Sequence, residues 1–236
     1  MTKLRIIGDV HGQVEPDDVL GRQTRLSYSE IIAAAGFSVQ IGDMGDADTY
    51  DWLTRHVDIG RHRFFPGNHD HYDRLPPHSL GDFGAISWGG VDFFFVRGAA
   101  STDRVNLLRL GERLGTKLWF EQEELTDEQM NAAEEEYLRT RPGIVLSHDA
   151  PLDVARFACQ HAARFRVPDP EAVFQPSRTN VFLARLLDRH RPSLWVFGHH
   201  HHDFMYKDGG TQFLCLGELR YVDVDVAGNL HDLETF

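Results

Sequence analysis

Seven side chains with oxygen or nitrogen donors lie in five short polar clusters, and each cluster follows an apolar run. The clusters are Gly8-Asp9-Val10-His11-Gly12, Gly42-Asp43-Met44-Gly45-Asp46, Pro66-Gly67-Asn68-His69-Asp70, His148-Asp149 and Gly198-His199-His200-His201-His202. Mixed imidazole and carboxylate donors suit zinc, manganese or iron better than magnesium or calcium, which prefer shells made only of oxygen. The candidate metal ligands are Asp9, His11, Asp43, Asn68, His148, His199 and His201.

Seven donors exceed what a single tetrahedral metal site needs. They suit two metal ions that share a bridging carboxylate, with water in the open positions, and we choose Asp43 as the bridge. Two metal ions about 3.5–4 Å apart form the clamp that phosphatases and nucleases use. The donor set therefore predicts a two-metal site for phosphate chemistry.

The run of four histidines resembles an affinity tag, but it follows the apolar strand predicted for 193–197 and lies inside the chain. Because strand side chains alternate between faces, we expect His199 and His201 to point one way and His200 and His202 the other. The pattern Gly-His-x-His makes the first pair the predicted ligands.

The clusters are positioned by strands that alternate with helices or long connections, which predicts an α/β fold. The strands are predicted at 3–7, 38–41, 63–65, 144–147 and 193–197, a hairpin at 85–88 and 91–96, a closing antiparallel pair at 212–216 and 221–226, and helices at 29–35, 49–56, 126–139 and 181–190. Ligands bind at the carboxyl ends of strands in open α/β sheets. We therefore expect the five clusters to meet at one edge of one sheet.

Length and composition favour one globular domain over 1–236, with 42% hydrophobic residues and a formal charge of −12. This charge argues against binding long nucleic acid but permits a small phosphorylated substrate, since bound cations would reverse the local field. No apolar run is long enough for a membrane helix. The two cysteines, Cys159 and Cys215, are predicted to be core residues without a disulfide, which favours a cytoplasmic location.

The five clusters, in this order, resemble the signature blocks of the calcineurin-like metallophosphoesterase family. The matching blocks are Asp9-x-His11, Gly42-Asp43-x-x-Asp46, Gly67-Asn68-His69-Asp70, His148 and Gly198-His199-x-His201. The resemblance implies a sandwich of two mixed β-sheets flanked by helices, with the metal ions at the strand ends. Each residue alone has an ordinary explanation as a turn former, but that explanation would have to hold at five strand ends at once.

The resemblance also implies a role for each residue. Asp9, His11 and His201 would bind one ion; Asn68, His148 and His199 would bind the other, and Asp43 would bridge. The cofactors would be two divalent or trivalent ions, manganese ahead of iron, zinc or nickel. A hydroxide formed from metal-bound water would attack phosphorus, while His69 protonates the leaving oxygen and Asp46 orients the His69 ring.

The substrate is less well defined by the sequence. Protein phosphatases of this family usually continue the second block with Asp-Arg-Gly, whereas this chain has Asp46-Ala47-Asp48. Arg104 is a candidate substitute for the missing arginine, but a solvated surface arginine is the favoured explanation. Segments 97–141 and 150–180 lie between site-bearing strands and are predicted to form a rim or lid. In the second segment, Phe157, Arg164, Phe165 and Arg166 offer stacking and charge for a nucleotide or, alternatively, lid packing.

Three functions remain open from the sequence. The favoured one is a phosphomonoesterase or phosphodiesterase acting on a small or nucleotide-like phosphate ester. The alternatives are a nuclease, which the net acidity disfavours, and a non-catalytic binding scaffold of the same fold. Loss of a ligand or of His69 would indicate the scaffold, and all of these residues are present. The oligomeric state is not predicted.

Overall fold

The apolar runs form eleven strands in residues 3–15, 26–163 and 174–231, which are the residues that this computed structural model describes. The strands are β1 (Lys3–Ile7), β2 (Phe37–Gln40), β3 (His62–Phe64), β4 (Phe83–Trp88), β5 (Val91–Val96), β6 (Ile144–Ser147), β7 (Leu194–Phe197), β8 (Phe204–Asp208), β9 (Thr211–Cys215), β10 (Tyr221–Asp225) and β11 (Leu230–His231). The helices are α1 (Tyr28–Ala33), α2 (Ala47–His56), α3 (Arg104–Leu114), α4 (Asp127–Thr140), α5 (Leu152–Ala163) and α6 (Arg178–Arg189), with short 3₁₀ turns at Tyr72–Arg74 and Glu121–Glu123. No helix in this part of the chain combines the length and apolar character needed to span a bilayer.

The strands pair in two mixed sheets, in the orders β11-β10-β1-β2-β3 and β4-β5-β6-β7-β9-β8. The predicted α/β sandwich is confirmed, but the expectation that all five clusters share one sheet is wrong. Strands β1 to β3 belong to the first sheet, whereas β6 and β7 belong to the second. The residue pattern of a strand shows that it is buried, but not which strand it pairs with.

The register of the parallel strands brings the predicted site residues to the same level. Ile7 is paired with Gln40, and Gln40 with Phe64, so β1, β2 and β3 end side by side. In the second sheet Ser147 is paired with Phe197, so β6 and β7 also end together. The polar cluster after each strand therefore emerges at a common edge of the sandwich.

Alternating side chains divide the core into three apolar layers, as the twofold period of a strand requires. Phe93 and Phe95 of β5 lie between the two sheets, while Phe94 packs with Tyr137 of α4 on the outer face of the second sheet. On the outer face of the first sheet, Tyr28 of α1 and other residues of α1 and α2 form the third layer. Each sheet is thus covered on both faces.

Helix starts follow the capping chemistry in the sequence. Thr126 and Gln129 form a capping box that opens α4, at the predicted start of this helix. Ser27 caps α1 together with Glu30. These reciprocal bonds satisfy N–H groups that a helix leaves without an internal partner.

Further details differ from expectation. Helices α3 and α5, in the predicted rim segments 97–141 and 150–180, were not predicted. Pro151 lies just before the first turn of α5, where the missing N–H is harmless. The predicted pairing of 212–216 with 221–226 is wrong, because β9 pairs with β7 and β8 while β10 pairs with β1. Strand β8 was not predicted, although the Gly209-Gly210 turn between β8 and β9 is a typical hairpin signal.

Candidate metal centre

The predicted ligands lie in two clusters that share Asp43. Within each cluster, potential ligand atoms of all members lie within 4.8 Å of one another. The first cluster is Asp9, His11, Asp43 and His201, and the second is Asp43, His148 and His199. Asn68 adjoins the second cluster, with its side-chain oxygen 3.1 Å from His148 Nε2. The fold therefore brings together the side chains that the sequence singled out.

In the first cluster, imidazole nitrogens face carboxylate oxygens. His201 Nε2 is 3.2 Å from Asp9 Oδ2, and His11 Nε2 is 3.8 Å from Asp43 Oδ2. The two Nε2 atoms are themselves 3.1 Å apart. On the far side of the ring, His201 Nδ1 is 3.0 Å from Glu218 Oε1. A carboxylate in this position fixes the ring orientation and favours a bare Nε2, as outer partners of metal-binding histidines do.

In the second cluster, three hydrogen-bond acceptors converge. His148 Nδ1 is 3.0 Å from the Ile41 carbonyl oxygen, which only accepts, so Nδ1 carries the hydrogen. In a neutral ring, the lone pair of Nε2 then faces Asp43 Oδ1 at 3.3 Å and Asn68 Oδ1 at 3.1 Å. This grouping needs either an added proton or a cation to be stable.

The burial and charge of the two carboxylates Asp9 and Asp43 also favour a bound cation. Asp9 and Asp43 are fully buried, and Asp43 Oδ2 has no hydrogen-bond partner among the described residues. Burial raises the pKa of Asp9 to about 8; the charge of His148 opposes this rise and that of Asp43 adds to it. Burial also disfavours the anion of Asp43, but the charge and hydrogen bond of His148 outweigh it and lower the Asp43 pKa. Two buried carboxylates with one unsatisfied oxygen fit a pair of metal ions.

The histidines of the second cluster differ in their response to burial. Burial lowers the pKa of His199 to about 3, so its ring is neutral and able to bind a metal ion. Burial acts in the same direction on His148, but the Asp43 carboxylate outweighs it and raises the His148 pKa to about 10. The Asp43 carboxylate that raises the His148 pKa would equally favour a cation at this position.

Glycines next to the ligands permit this close approach. A Cβ atom on Gly67 would collide with Asp43 Oδ1 and His148 Nε2, and a Cβ on Gly198 would collide with Asp9 Oδ1. Neither glycine has a left-handed φ, so the requirement is steric. The loops after the strands can meet only because these positions lack a side chain.

Several ligands have an uncommon backbone conformation. The φ angles of His11, Asp43, His199 and His201 are 49°, 57°, 66° and 54°, in the left-handed region that non-glycine residues rarely adopt. Strand β7 ends at Phe197, so the expected strand alternation does not explain the positions of His199 and His201. A turn places both rings in the site, and such strained positions cluster at functional sites.

A family model described as calcineurin-like phosphoesterase matches residues 2–203. The chain belongs to this family. The two-sheet sandwich of this chain is similar to the fold of a dimetal phosphatase from Danio rerio, with 13% identity over 95% of this chain and 92% of that one and a TM-score of 0.54. A phosphopantetheinyl hydrolase from Mycobacterium tuberculosis is 13% identical over 93% of this chain and 91% of that one, with a TM-score of 0.43. No curated protein sequence matches the chain.

Of the two predicted catalytic residues, His69 lies beside the first cluster and Asp46 lies at the start of α2. The His69 backbone N–H donates to Asp43 Oδ1 at 2.8 Å, and the His69 ring centroid is 5.7 Å from that of His11. The exposed Asp46 carboxylate caps α2, accepting hydrogen bonds from the Thr49 backbone N at 3.1 Å and Oγ1 at 3.0 Å. The pairing of Asp46 with the His69 ring stays a prediction.

Asp70 holds the loops of the candidate site together. It belongs to the block Gly67-Asn68-His69-Asp70, but its role was not predicted from the sequence pattern. Its buried carboxylate accepts hydrogen bonds from the backbone N–H of Asp43 at 2.9 Å and of Gly67 at 2.7 Å, and from the Tyr50 hydroxyl at 2.7 Å. Burial and the charge of Asp43 raise the pKa of Asp70 to about 6, although these donors oppose the rise. Asp70 thus joins the loops that carry Asp43 and Asn68.

Glu218 was also missed, although a signal was available. It follows β9 in Leu216-Gly217-Glu218, which repeats the pattern of an apolar strand, a glycine and a polar donor. Gln40 is less obvious, because its position within β2 resembles an ordinary strand residue. Its side-chain amide donates to the carbonyl oxygens of Gly8 and Gly42, just before two of the ligands.

A cavity of about 540 Å³ opens beside His69 and the second cluster. Its walls include 100–103, Asp149, Cys159 and 174–177, and none of the described lining residues is lysine or arginine. Arg104 is exposed and lies over the Trp119 ring, 3.9 Å from its centroid.

The aromatic and basic residues considered for nucleotide binding are described only in part. Phe157 is partly exposed and stacks on Tyr206 with centroids 4.7 Å apart. Arg164, Phe165 and Arg166 lie outside the described residues. Of the predicted core cysteines, Cys215 is buried, whereas Cys159 is only partly buried and lines the cavity.

Proposed function

We propose that this protein is a dinuclear-metal-dependent hydrolase of phosphate esters. The observation that carries the proposal is the pair of donor clusters sharing the buried Asp43, one of whose oxygens has no hydrogen-bond partner in the described structure. We assign one ion to Asp9, His11 and His201 and place Asp43 as the bridge. We assign the second ion to Asn68, His148 and His199.

Manganese is our first choice of metal, ahead of iron, zinc or nickel, because the donors mix imidazole with carboxylate and amide oxygen. Two bound ions would lower the pKa of a water molecule to near neutrality and neutralise charge on the phosphate. The chain itself contributes orientation: Glu218 holds the His201 ring, and the Ile41 carbonyl fixes which nitrogen of His148 faces the centre.

His69 is our candidate for the general acid. It lines the cavity, and its backbone is fixed by the Asp43 carboxylate, so its ring stays close to the centre without being assigned as a ligand. A proton on this ring would pass to the leaving oxygen of the ester, which is a typical role of histidine near neutral pH. We assign the orientation of the ring to Asp46.

The substrate is proposed to be a small or nucleotide-like phosphate monoester or diester. A cavity of about 540 Å³ is within the usual size for small-molecule sites. Neutral polar groups from both proposed rim segments line it, including Ser101, Thr102 and Ser177. We further propose that residues 1–236 form a single domain. The two free cysteines agree with a reducing cytoplasmic setting.

Metal analysis combined with a hydrolysis assay tests this function. Elemental analysis should find two metal ions per chain, and turnover of p-nitrophenyl phosphate or bis-p-nitrophenyl phosphate should depend on added Mn²⁺ and stop with a chelator. The preferred ester distinguishes a monoesterase from a diesterase. Asp51→Asn, on the exposed surface of α2, serves as a control that should match the wild type. Absence of both metal and turnover with every divalent cation would instead support a non-catalytic scaffold.

A further inference from the structure

The side chain of Asn68 must face the second cluster in one particular orientation. An amide binds a cation only through its oxygen, and a flipped amide would present two N–H donors instead. The Asn68 side chain is 1% exposed, so water cannot compensate for a wrong orientation. The contacts of its NH₂ group therefore decide whether the oxygen faces His148.

Ser101 and Glu123 form a chain of hydrogen bonds behind Asn68. Asn68 Nδ2 donates to Ser101 Oγ at 3.1 Å, and Ser101 Oγ donates to Glu123 Oε2 at 2.6 Å. The Ser101 backbone N–H donates to Glu123 Oε1 at 3.1 Å, so both carboxylate oxygens are used. Ser101 and Glu123 are 9% and 5% exposed.

The direction of these bonds follows from their chemistry. Burial raises the pKa of Glu123, but the hydrogen bonds from the Ser101 hydroxyl and backbone N–H favour its ionised form. An ionised carboxylate only accepts hydrogen bonds, so the single hydroxyl hydrogen of Ser101 is committed to Glu123. Only lone pairs of Ser101 Oγ remain for Asn68, which must then present its NH₂ group to Ser101. The oxygen of Asn68 is thereby directed to the opposite side, towards His148.

The segment that carries Glu123 is held firmly against the loop after β5. Arg97 donates to the Gln122 carbonyl oxygen, and a Cβ on Gly98 would collide with the Glu123 carbonyl oxygen. Arg97 also bonds to the Tyr72 hydroxyl, which in turn donates to the Gly67 carbonyl oxygen at 2.8 Å. Glu123 is therefore fixed relative to the loop of Asn68.

We propose that Ser101 and Glu123 are positioning residues that fix the Asn68 amide with its oxygen towards the second metal site. The proposal rests on the two-metal function proposed above. Replacing Glu123 by glutamine keeps the size and shape but changes the hydrogen-bond direction. If the glutamine oxygen stays on the Ser101 backbone N–H, its NH₂ donates to Ser101 Oγ and the hydroxyl hydrogen turns towards Asn68. The Asn68 amide then flips and presents N–H groups to the cation.

The test is a Mn²⁺ titration of the metal-free full-length chain, in which electron paramagnetic resonance measures free Mn²⁺. Glu123→Gln is expected to weaken one of the two binding steps about 10- to 100-fold, the usual effect of losing an outer partner of a metal ligand. Glu121→Gln removes the same charge from an exposed neighbour and should bind as the wild type does. Ser101→Ala should resemble Glu123→Gln, whereas Ser101→Thr, which keeps the hydroxyl, should restore most of the affinity.

The outcomes separate this inference from the function on which it rests. Two unchanged binding steps in Glu123→Gln would overturn the positioning role and leave the metal function intact. Equal weakening of both binding steps would also overturn the positioning role, because the hydrogen bonds from Glu123 and Ser101 reach only Asn68, which is assigned to one of the two ions. A wild-type chain that binds no Mn²⁺ would overturn both proposals. If Glu123→Gln does not fold, the Mn²⁺ affinities of Ser101→Ala and Ser101→Thr are compared instead. Equal affinities of these two variants would refute the positioning role.

Discussion

Replacing Gly67 by alanine tests whether the close approach of the strand-end loops is needed for the metal centre. The new methyl group would collide with Asp43 Oδ1 and His148 Nε2, where the two clusters meet. Gly67 does not have a left-handed φ, so alanine adds no backbone strain there. Any effect of Gly67→Ala on metal content or activity therefore comes from the contact of the new methyl group with Asp43 and His148.

The expected size of the effect follows from the geometry. Relieving the collision requires shifts of about 1 Å in both Asp43, whose backbone N the methyl group also meets, and the His148 ring, several times the roughly 0.2 Å tolerance of a metal–ligand distance. We expect the variant to lose at least one of its two metal ions. A displacement of this size in a catalytic group lowers activity by about 100-fold. Crowding in a packed site also destabilises by about 1–3 kcal/mol.

The assay combines metal content, kcat/KM with added Mn²⁺ and thermal unfolding of the metal-free chain. Gly36→Ala is the matched control, because a Cβ at Gly36 meets nothing within 4 Å and its φ is also not left-handed. This control should keep both metal ions and gain about 0.4–1 kcal/mol through a less flexible unfolded chain. Two bound metal ions and wild-type kcat/KM in Gly67→Ala would refute the reasoning. Loss of cooperative unfolding would show that the glycine supports the fold rather than the metal centre.

Three further predictions address proton transfer, metal binding and pH. His69→Ala should keep both metal ions but lose about 10²- to 10⁴-fold in kcat, as removal of a general acid does; unchanged turnover would exclude this role. Asp43→Ala should release metal by elemental analysis, and full retention of two ions would refute the bridge. Burial lowers the pKa of His62 to about 3, with its ring bonded to the Tyr28 hydroxyl at 2.7 Å and to Ser38 Oγ at 2.8 Å. The pKa of His62 in the folded protein is below the ordinary value of 6.5. The contribution of its neutral ring to the free energy of unfolding is therefore fully present above pH 6.5 and is lost as pH falls towards 3. Urea unfolding of the metal-free wild type should lose about 2 kcal/mol from this group between pH 7 and 5, and His62→Gln should lack that contribution; identical pH dependence would contradict the assignment.

Much of the candidate site could be predicted from the sequence, because a strand end followed by polar donors is a local pattern. Asp9, Asp43 and Asn68 could be found this way, since each follows an apolar run within a few residues. Asp70 and Glu123 could not be given roles, because their partners are fixed by loops that meet only in the folded chain. Asp70 contacts the loop after β2, 25 or more residues earlier, and Glu123 contacts Ser101, 22 residues earlier.

The amino-acid sequence by itself determined the chemical types of the predicted ligands and the α/β class, and it predicted that the polar residues after the strands form one site. Side-chain period and turn chemistry act over a few residues, so these features are readable from the chain. Tertiary structure alone decided that β1 to β3 and β6 to β7 belong to different sheets. It also decided that His199 and His201 reach the centre through left-handed turns and that Asn68 has a fixed amide orientation. These features depend on contacts between residues distant in the chain, where packing and the pairing of buried polar groups select one arrangement among many that the local pattern allows.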